Sequence, residues 1–262
     1  MRPLDQLAEI AQKAVEIGGI MIKNSRPKIV TEKKDRDTVT DVDLKIERKI
    51  RAYLAEHTPE IGFTGEEEGA REGSDGTLFW ALDPIDGTAN FTHGIPICAV
   101  QVALINEGVT TVAAISLPHF GMQYYAATGR GAYMNAKKIR TSDTAKLSKA
   151  IISIGDYATG SNAEKKNEER IAVTSALVKR VERVRMFGSA AYDLAWLAEG
   201  RIDATVMMSN NMIDVSAGIL IAREAGAEVT DTSGNWHDVK STNIVAAAPG
   251  IARELLECIK YA

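Results

Sequence analysis

The sequence predicts a mixed α+β and α/β fold built in two parts. In residues 1–146, two helical stretches accompany a run of strands separated by short turns, which is typical of an antiparallel meander. In residues 147–262, strands alternate with helices, which is typical of an α/β arrangement. A chain of 262 residues can bury a large core, either as one big domain or as two smaller ones. We therefore predict an N-terminal α+β domain over 1–146 and a C-terminal α/β domain over 147–262.

The composition predicts a soluble protein of the cytoplasm. Apolar residues make up 45% and charged residues 25% of the chain, as in ordinary globular proteins. The net charge of -4 argues against a nucleic-acid partner, because no basic excess is available to neutralise phosphates. Cys98 and Cys258 lie too far apart to suggest a thiolate zinc site, and two thiols alone fit a reducing compartment. No signal peptide or membrane span is expected, so a membrane partner is not predicted.

The first part begins with a helix over 4–24, whose apolar residues recur at three- and four-residue intervals. The charged stretch 26–37 predicts a surface loop or hairpin, from which Lys33 or Lys34 could reach an anionic substrate. Thr40 followed by Asp43 is a helix-start signature, so a second helix is expected from there.

Asp41-Val-Asp43 also resembles the nucleophile pair of haloacid-dehalogenase-type phosphatases. Those enzymes place a buried apolar strand before the pair, and residues 36–40 are too polar to form one. We therefore interpret Asp41 as a helix-capping residue. Asp43 fits a cap and a site residue equally well.

The central stretch, LFWALDPIDGTANF, runs from 78 to 91 and begins as a buried strand over 78–82. Pro84 predicts that the chain leaves the strand directly after Asp83. Asp83 and Asp86 can then bend toward one point beside the Ile85 carbonyl. The amides around Gly87, Thr88 and Ala89 would be free to bind an anion. Hard oxygen ligands next to an anion cradle indicate a divalent metal with a phosphate.

Other acidic residues also stand at the end or the start of a predicted strand or helix. A short strand over 61–63 ends at Glu66, Glu67 and Glu68, and at least one of these could turn toward a cation that relieves their repulsion. Much later, Asp214 stands where a helix over 214–225 is expected to begin, a position typical of an N-cap. We hypothesise that Glu66, Asp83, Asp86 and Asp214 together bind two or more divalent cations.

The same sequence patterns predict the remaining strands and helices of the two parts. Strands are expected over 97–105, 110–116, 122–127 and 132–134 in the first part, and over 151–154, 181–186, 202–208, 229–230 and 244–248 in the second. Helices are expected over 163–179, 189–199 and 251–261.

Three segments resemble the inositol monophosphatase family of magnesium-dependent, lithium-sensitive phosphatases. They are GEEEG, DPIDGTANF and the run D-x-x-A-G-x-L-x-x-E-A-G that starts at Asp214. The resemblance covers nearly the whole chain. It implies the layered α-β-α-β-α sandwich of the inositol monophosphatase and fructose-1,6-bisphosphatase type, and a homodimer.

The resemblance also implies roles for individual residues. One Mg²⁺ would lie on Glu66, Asp83 and the Ile85 carbonyl, and a second on Asp83, Asp86 and Asp214. Thr88 and Glu66 would orient the attacking water, with Asp43 hydrogen-bonded to Thr88. The amides of Gly87 and Thr88 would hold the phosphate, and Glu67 would support a third metal or the ligands of the first. Mn²⁺ is a possible substitute for the two or three Mg²⁺ ions.

Two departures from the family pattern concern the substrate. The family usually has Trp where this chain has Ile213, and inositol-hydrolysing members have a Glu that contacts sugar hydroxyls where the count here gives Met207. Asp86, Ser189, Ala190, Met207 and Asp214 are the predicted substrate-binding residues. Asp193 fits a substrate contact and a helix-surface residue equally well.

The predicted function is hydrolysis of a small phosphorylated metabolite by metal-activated water. Met207 favours sugar or cyclitol phosphates over myo-inositol phosphate. Histidinol phosphate, bisphosphate nucleotides and fructose bisphosphate are alternative substrates. A phosphatase with an Asp nucleophile would instead form an aspartyl-phosphate at Asp41, and a metal-binding regulator with the same fold would not turn over substrate at all.

Overall fold

The computed structural model of the protein describes residues 2–34, 37–70 and 76–260. The helices within these ranges are α1 (Leu4–Asn24), α2 (Asp41–His57), α3 (Thr88–Thr92), α4 (Ala163–Val178), α5 (Ala190–Ala198), α6 (Met212–Glu224) and α7 (Ala252–Lys260). No helix in the described ranges has the length and apolar character needed to cross a membrane.

The strands form a hairpin and two larger sheets. The hairpin pairs β1 (Val30–Lys34) with β2 (Asp37–Thr40). The strands of the large sheet are β3 (Gly62–Gly65), β4 (Gly69–Ala70), β5 (Leu78–Asp86), β6 (Ala99–Asn106), β7 (Val109–Leu117), β8 (Met122–Ala127), β9 (Ala132–Met134) and β10 (Lys137–Ile139), in the spatial order β10-β9-β8-β7-β6-β5-β3-β4. The strands of the small sheet are β11 (Ile151–Ile154), β12 (Arg183–Arg185), β13 (Ala204–Met207), β14 (Glu228–Thr230) and β15 (Ile244–Ala247), in the order β12-β11-β13-β15-β14.

The helices and sheets stack as five layers. Helices α1 and α2 cover one face of the large sheet, while α5 and α6 lie between the large sheet and the small one. Helices α4 and α7 cover the outer face of the small sheet. Each interface has its own cluster of buried apolar side chains. This arrangement confirms the predicted layered sandwich. Because α5 and α6 pack on both sheets, the packing does not mark a boundary between two domains. The division of the chain at residue 146 stays a prediction.

Local sequence signals account for the start of α2. Thr40 caps this helix, and its side chain accepts hydrogen bonds from the amides of Val42 and Asp43. The Asp43 carboxylate returns to the Thr40 amide at 3.0 Å, which completes a capping box. Asp41 is therefore the first helical residue rather than the cap. Its carboxylate accepts hydrogen bonds from the amides of Lys28 and Ile29.

Two predicted boundaries were wrong. Strand β5 does not end at Asp83: it continues through Pro84 to Asp86, which pairs with Ala99 across a break in register. A proline is compatible with a strand at such an irregularity because no ladder hydrogen bond is required there. Helix α6 begins at Met212 with Asn211 as its cap, so Asp214 lies in the first turn. The predicted helical residue 261 lies outside the described ranges.

Candidate metal centre

Three carboxylates from distant parts of the chain meet at one edge of the large sheet. Glu66, Asp83 and Asp214 each place an oxygen within 4.8 Å of the others. Glu66 reaches this point because β3 runs parallel to β5, and its amide donates to the Leu82 carbonyl at 3.1 Å. Asp214 arrives from the first turn of α6, which packs on the same sheet. This separation and these ligand atoms suit a divalent cation.

Gln101 connects Asp214 to the sheet, and sequence reasoning missed it. Its side-chain amide donates to a carboxylate oxygen of Asp83 at 3.3 Å and to the main-chain oxygen of Asp214 at 2.7 Å. Gln101 lies opposite Asp83 in the β5–β6 pairing. Only that pairing identifies its role, because Gln101 stands in an otherwise apolar strand with no local motif.

Asp86 lines the same cavity but is held from another side. Its Oδ2 accepts hydrogen bonds from the Ser189 hydroxyl and from the Ala191 amide, the latter at 2.6 Å. Both donors lie at the start of α5, so this helix fixes the carboxylate. The cavity has a volume of about 290 Å³. Its carboxylate-bearing residues are Glu66, Asp83, Asp86, Asp156 and Asp214.

Burial and mutual repulsion raise the pKa values of these carboxyl groups. Burial, with the charges of Glu66, Asp86 and Asp214, holds the pKa of Asp83 well above its ordinary value. Burial and the charges of Asp86 and Glu66 raise the pKa of Asp214 to about 8. Burial raises the pKa of Asp86 to about 6. Asp83 Oδ1 is buried with no hydrogen-bond partner among the described residues. A cation at this point would satisfy that oxygen and relieve the repulsion.

Gly87 shapes the anion side of the cavity. Its φ of 84° is a left-handed conformation, and a Cβ there would lie 2.9 Å from the Ile97 carbonyl oxygen. Only glycine meets both conditions without strain. Gly87 leads into the short helix α3, whose first amides have no acceptor within the helix. The Thr88 hydroxyl donates to the Ile85 carbonyl at 2.9 Å.

The predicted hydrogen bond between Asp43 and Thr88 is not present. Asp43 is fully buried, and its Oδ2 is engaged by the amide and hydroxyl of Thr40 through the capping box. Its Oδ1 has no partner among the described residues. Burial raises the pKa of Asp43 to about 6. The helix cap thus engages one carboxylate oxygen of Asp43, and the Thr88 hydroxyl donates to Ile85 instead.

Glu47, a residue that sequence reasoning missed, organises the acidic loop. Its buried carboxylate accepts hydrogen bonds from the amides of Glu67 and Glu68 at 2.9 Å each and from Arg51 at 2.8 Å. Gly65 allows this approach, because a Cβ there would lie 2.2 Å from the Glu47 carboxyl carbon. The interaction explains why a loop of adjacent glutamates holds one conformation.

Lys33, which the sequence suggested as a contact for an anionic substrate, instead reaches the acidic loop from the hairpin. Its ammonium lies 2.6 Å from Glu67 and 3.3 Å from Glu66. Burial raises the pKa of Glu67 to about 7, and the hydrogen bond from Lys33 opposes that rise. The side chain of Lys34 lies outside the described residues.

Of the predicted substrate residues, Asp86 and Asp214 line the cavity, whereas Ser189, Ala190 and Met207 do not. Ser189 holds Asp86, and the neighbouring Ala190 is the first residue of α5. Met207 does not line the cavity: it is 4% exposed and packs in the apolar core between the central helices and the small sheet. Its predicted substrate contact is therefore corrected, because its position on β13 directs the side chain inward. Asp193 is also buried rather than on a helix surface.

Asp156 lines the cavity, and sequence reasoning did not single it out. It follows β11 as Asp83 follows an apolar run, which is the signal that could have identified it. Its Oδ2 lies 3.5 Å from the position of a Cβ on Gly188. Its carboxylate has no hydrogen-bond donor or ion-pair partner within the described ranges, so it is available to a bound molecule.

Comparisons with known proteins show which proteins the chain resembles. The model of the inositol monophosphatase family matches residues 3–260. An inositol-1-monophosphatase of Caulobacter vibrioides is 36% identical over 89% of this chain and 91% of its own length. The Nus factor SuhB of Vibrio cholerae is 34% identical over 99% of this chain and 97% of its own. The crystal structure of the extragenic suppressor protein suhB from Bartonella henselae superposes with a TM-score of 0.90 at 31% identity, covering 96% of this chain and 97% of that one.

Proposed function

The chain belongs to the inositol monophosphatase family, and on that premise we propose that it is a magnesium-dependent phosphomonoesterase. Its substrate is a small phosphorylated metabolite of the cytoplasm, an inositol, sugar or cyclitol phosphate. Mn²⁺ is a possible substitute for Mg²⁺. The family resemblance supports a homodimer as the working form.

The observation that carries this proposal is the charge of the cavity. Five acidic residues line it, and three of their carboxylates lie within 4.8 Å of one another. A phosphate monoester dianion would be repelled by such a surface unless cations stood between them. The same cavity includes Gly87 and Thr88 at the start of α3, where amides without an acceptor in the helix would be free to bind an anion. A cation-dependent phosphate site is the function that uses both features.

The ligand set that the family resemblance implies is supported by the grouping of Glu66, Asp83 and Asp214. Glu66, Asp83 and the Ile85 carbonyl would hold one Mg²⁺, and Asp83, Asp86 and Asp214 would hold a second. These are the hard oxygen donors that Mg²⁺ prefers. When bound, such ions lower the pKa of water and neutralise charge on the phosphate and the leaving oxygen.

The protein's own groups position the reactants. The amides at Gly87 and Thr88 would hold the phosphate, and Glu66 with the Thr88 hydroxyl would orient the attacking water. Because the Thr88 hydroxyl already donates to Ile85, its lone pairs are left to accept a hydrogen bond from that water. Asp43 supports this region indirectly, since its capping box fixes Thr40 and the start of α2.

We propose that Asp156 contributes to the substrate preference of the enzyme. An unpaired carboxylate beside the phosphate position would accept hydrogen bonds from hydroxyl or ammonium groups of the leaving alcohol. Asp156 would thereby supply the hydrogen-bond acceptor for substrate hydroxyls that is missing at Met207. We expect Asp156→Ala to raise KM about tenfold for a polyhydroxylated phosphate. The same change should leave KM for p-nitrophenyl phosphate within about twofold, since that leaving group offers no donor.

The test of the proposal is phosphate release from a panel of phosphomonoesters by the purified protein with Mg²⁺. The panel includes inositol, sugar, cyclitol and histidinol phosphates, a bisphosphate nucleotide and fructose 1,6-bisphosphate. Asp83→Asn should lower turnover by at least about a hundredfold, because it removes the ligand shared by both metals. Asp5→Asn, a change to an exposed carboxylate, is the control. Full magnesium-dependent activity of Asp83→Asn would overturn the proposal.

A second candidate function is a regulator that keeps the fold without turnover. The name of the Vibrio cholerae relative, Nus factor SuhB, favours it. This candidate predicts that the folded protein binds Mg²⁺ yet releases no phosphate from any member of the panel. Turnover that is lost on Asp83→Asn would exclude a purely non-catalytic role.

A further inference from the structure

A second cavity, of about 190 Å³, lies between α6, the β6–β7 turn and the segment 236–239. Much of its wall is apolar and is formed by Val109, Val215, Ile219, Leu220 and Val239. It shares no lining residue with the acidic cavity. A ligand in this cavity would therefore occupy a space separate from the proposed phosphatase site.

The cavity contains a cation that no carboxylate neutralises. Arg223 lines it, and within the described residues the guanidinium has no ion-pair partner. One of its terminal nitrogens donates to the carbonyl oxygens of His237 at 2.7 Å and Val229 at 3.4 Å. Its Nε is buried and has no partner among the described residues. An uncompensated guanidinium with a free donor favours an anionic ligand.

Two further groups support a ligand at this position. The Arg223 guanidinium lies 4.0 Å from the centroid of the Trp236 ring, and that indole is 70% exposed. Such stacking orients the guanidinium and places an aromatic face at the cavity mouth. His237 is 4% exposed, and its Nε2 is buried without a partner among the described residues. Asp238 also lines the cavity, and its carboxylate already accepts a hydrogen bond from the Lys240 amide.

We propose that this cavity binds a small organic carboxylate with an apolar body. The carboxylate would accept hydrogen bonds from Arg223 Nε and from His237, and the body would lie against Ile219, Leu220 and Trp236. The volume fits a single ring with one attached acid group, since a cavity of about 150 Å³ holds a benzene molecule. A phosphate group fits less well than a carboxylate, because its second negative charge would not be compensated by the single Arg223 guanidinium.

The experiment is a calorimetric titration of the full-length protein with benzoate and, separately, with benzamide, which has the same shape without the charge. We expect benzoate to bind with a Kd of about 1 mM, an ordinary efficiency for so small a ligand. Benzamide should bind at least about tenfold more weakly. Equal binding of the two probes, or no benzoate binding at 20-fold the expected Kd (about 20 mM), would overturn the proposal.

Variants assign the binding to this cavity. Arg223→Gln should weaken benzoate binding at least about tenfold. Trp236→Ala, a change to an exposed side chain that should not disturb folding, should weaken it about fivefold. Arg201→Gln is the matched control, because Arg201 also lies over a tryptophan ring, Trp196, but outside the cavity. Unchanged benzoate affinity in Trp236→Ala, or loss of binding in Arg201→Gln, would contradict the assignment.

Discussion

Replacing Asp214 by asparagine should stabilise the metal-free protein while weakening its response to Mg²⁺. The fold raises the pKa of Asp214 from 3.8 to about 8, through burial and the charges of Asp86 and Glu66. That rise corresponds to roughly 6 kcal/mol between the two protonation states. Asp86 and Asp83 compete for the same proton, so the removal of one charge should recover only part of it. We expect a gain of about 2 kcal/mol in unfolding free energy at pH 8.

The sign of the effect depends on pH. Below pH 3.8 the Asp214 carboxyl is protonated in the folded and the unfolded protein, and its contribution to stability is fully present. As the pH rises from 3.8 to about 8, the unfolded state ionises this group while the folded state keeps its proton, so that stability is progressively lost. Asparagine has a similar shape and does not ionise. The variant should therefore gain most stability at pH 8, gain less at pH 5, and resemble the wild type only below pH 3.8.

The assay is thermal unfolding followed by calorimetry, with EDTA or with saturating Mg²⁺. In EDTA at pH 8, Asp214→Asn should melt about 5 °C above the wild type. Mg²⁺ should raise the melting temperature of the wild type and raise that of the variant much less, because a ligand is missing. Asp5→Asn, at an exposed carboxylate, should match the wild type throughout. A variant less stable than the wild type in EDTA at pH 8, or one equally stabilised by Mg²⁺, would refute the reasoning.

Three further changes test other parts of the site. Gly87→Ala should lower the unfolding free energy by about 2 kcal/mol in a denaturant titration, because the new Cβ would meet a main-chain oxygen at 2.9 Å; an unchanged midpoint would contradict this. Gly65→Ala should displace the Glu47 carboxylate, which it would approach to 2.2 Å, and should raise the Mg²⁺ concentration for half-maximal activity about tenfold. Lys33→Gln removes the cation beside Glu67 and should tighten Mg²⁺ binding about threefold by calorimetry, since the acidic loop loses its internal counter-ion; weaker binding would argue that Lys33 positions the ligands.

The sequence was sufficient to predict the parts of the protein that local patterns determine. The capping box at Thr40 and the apolar periodicity of α1 each depend on residues a few positions apart. Of the four carboxylates expected to converge, Glu66, Asp83 and Asp214 lie together, although Asp83 stands within β5 and Asp214 in the first turn of α6. The capping box and the helix periodicity need no knowledge of distant neighbours, whereas the convergence of the carboxylates depends on packing.

Register and packing determined the rest. Gln101 reaches the site only because β6 pairs with β5, and Glu47 does so only because α2 lies beside the loop after Gly65. Met207 was predicted to face the substrate, but its place in the β13 pleat directs it into the core. Such positions depend on contacts between residues far apart in the chain, and a one-residue change of register reverses the face a side chain occupies.

The sequence alone thus determined the layered fold class and the acidic character of the site. Only the tertiary structure decided which polar groups surround those acids and which cavities the packed layers enclose. The physical reason is that a carboxylate's position after a strand is a local property. Its distance from another carboxylate, its burial and its pKa arise only when separate elements pack together.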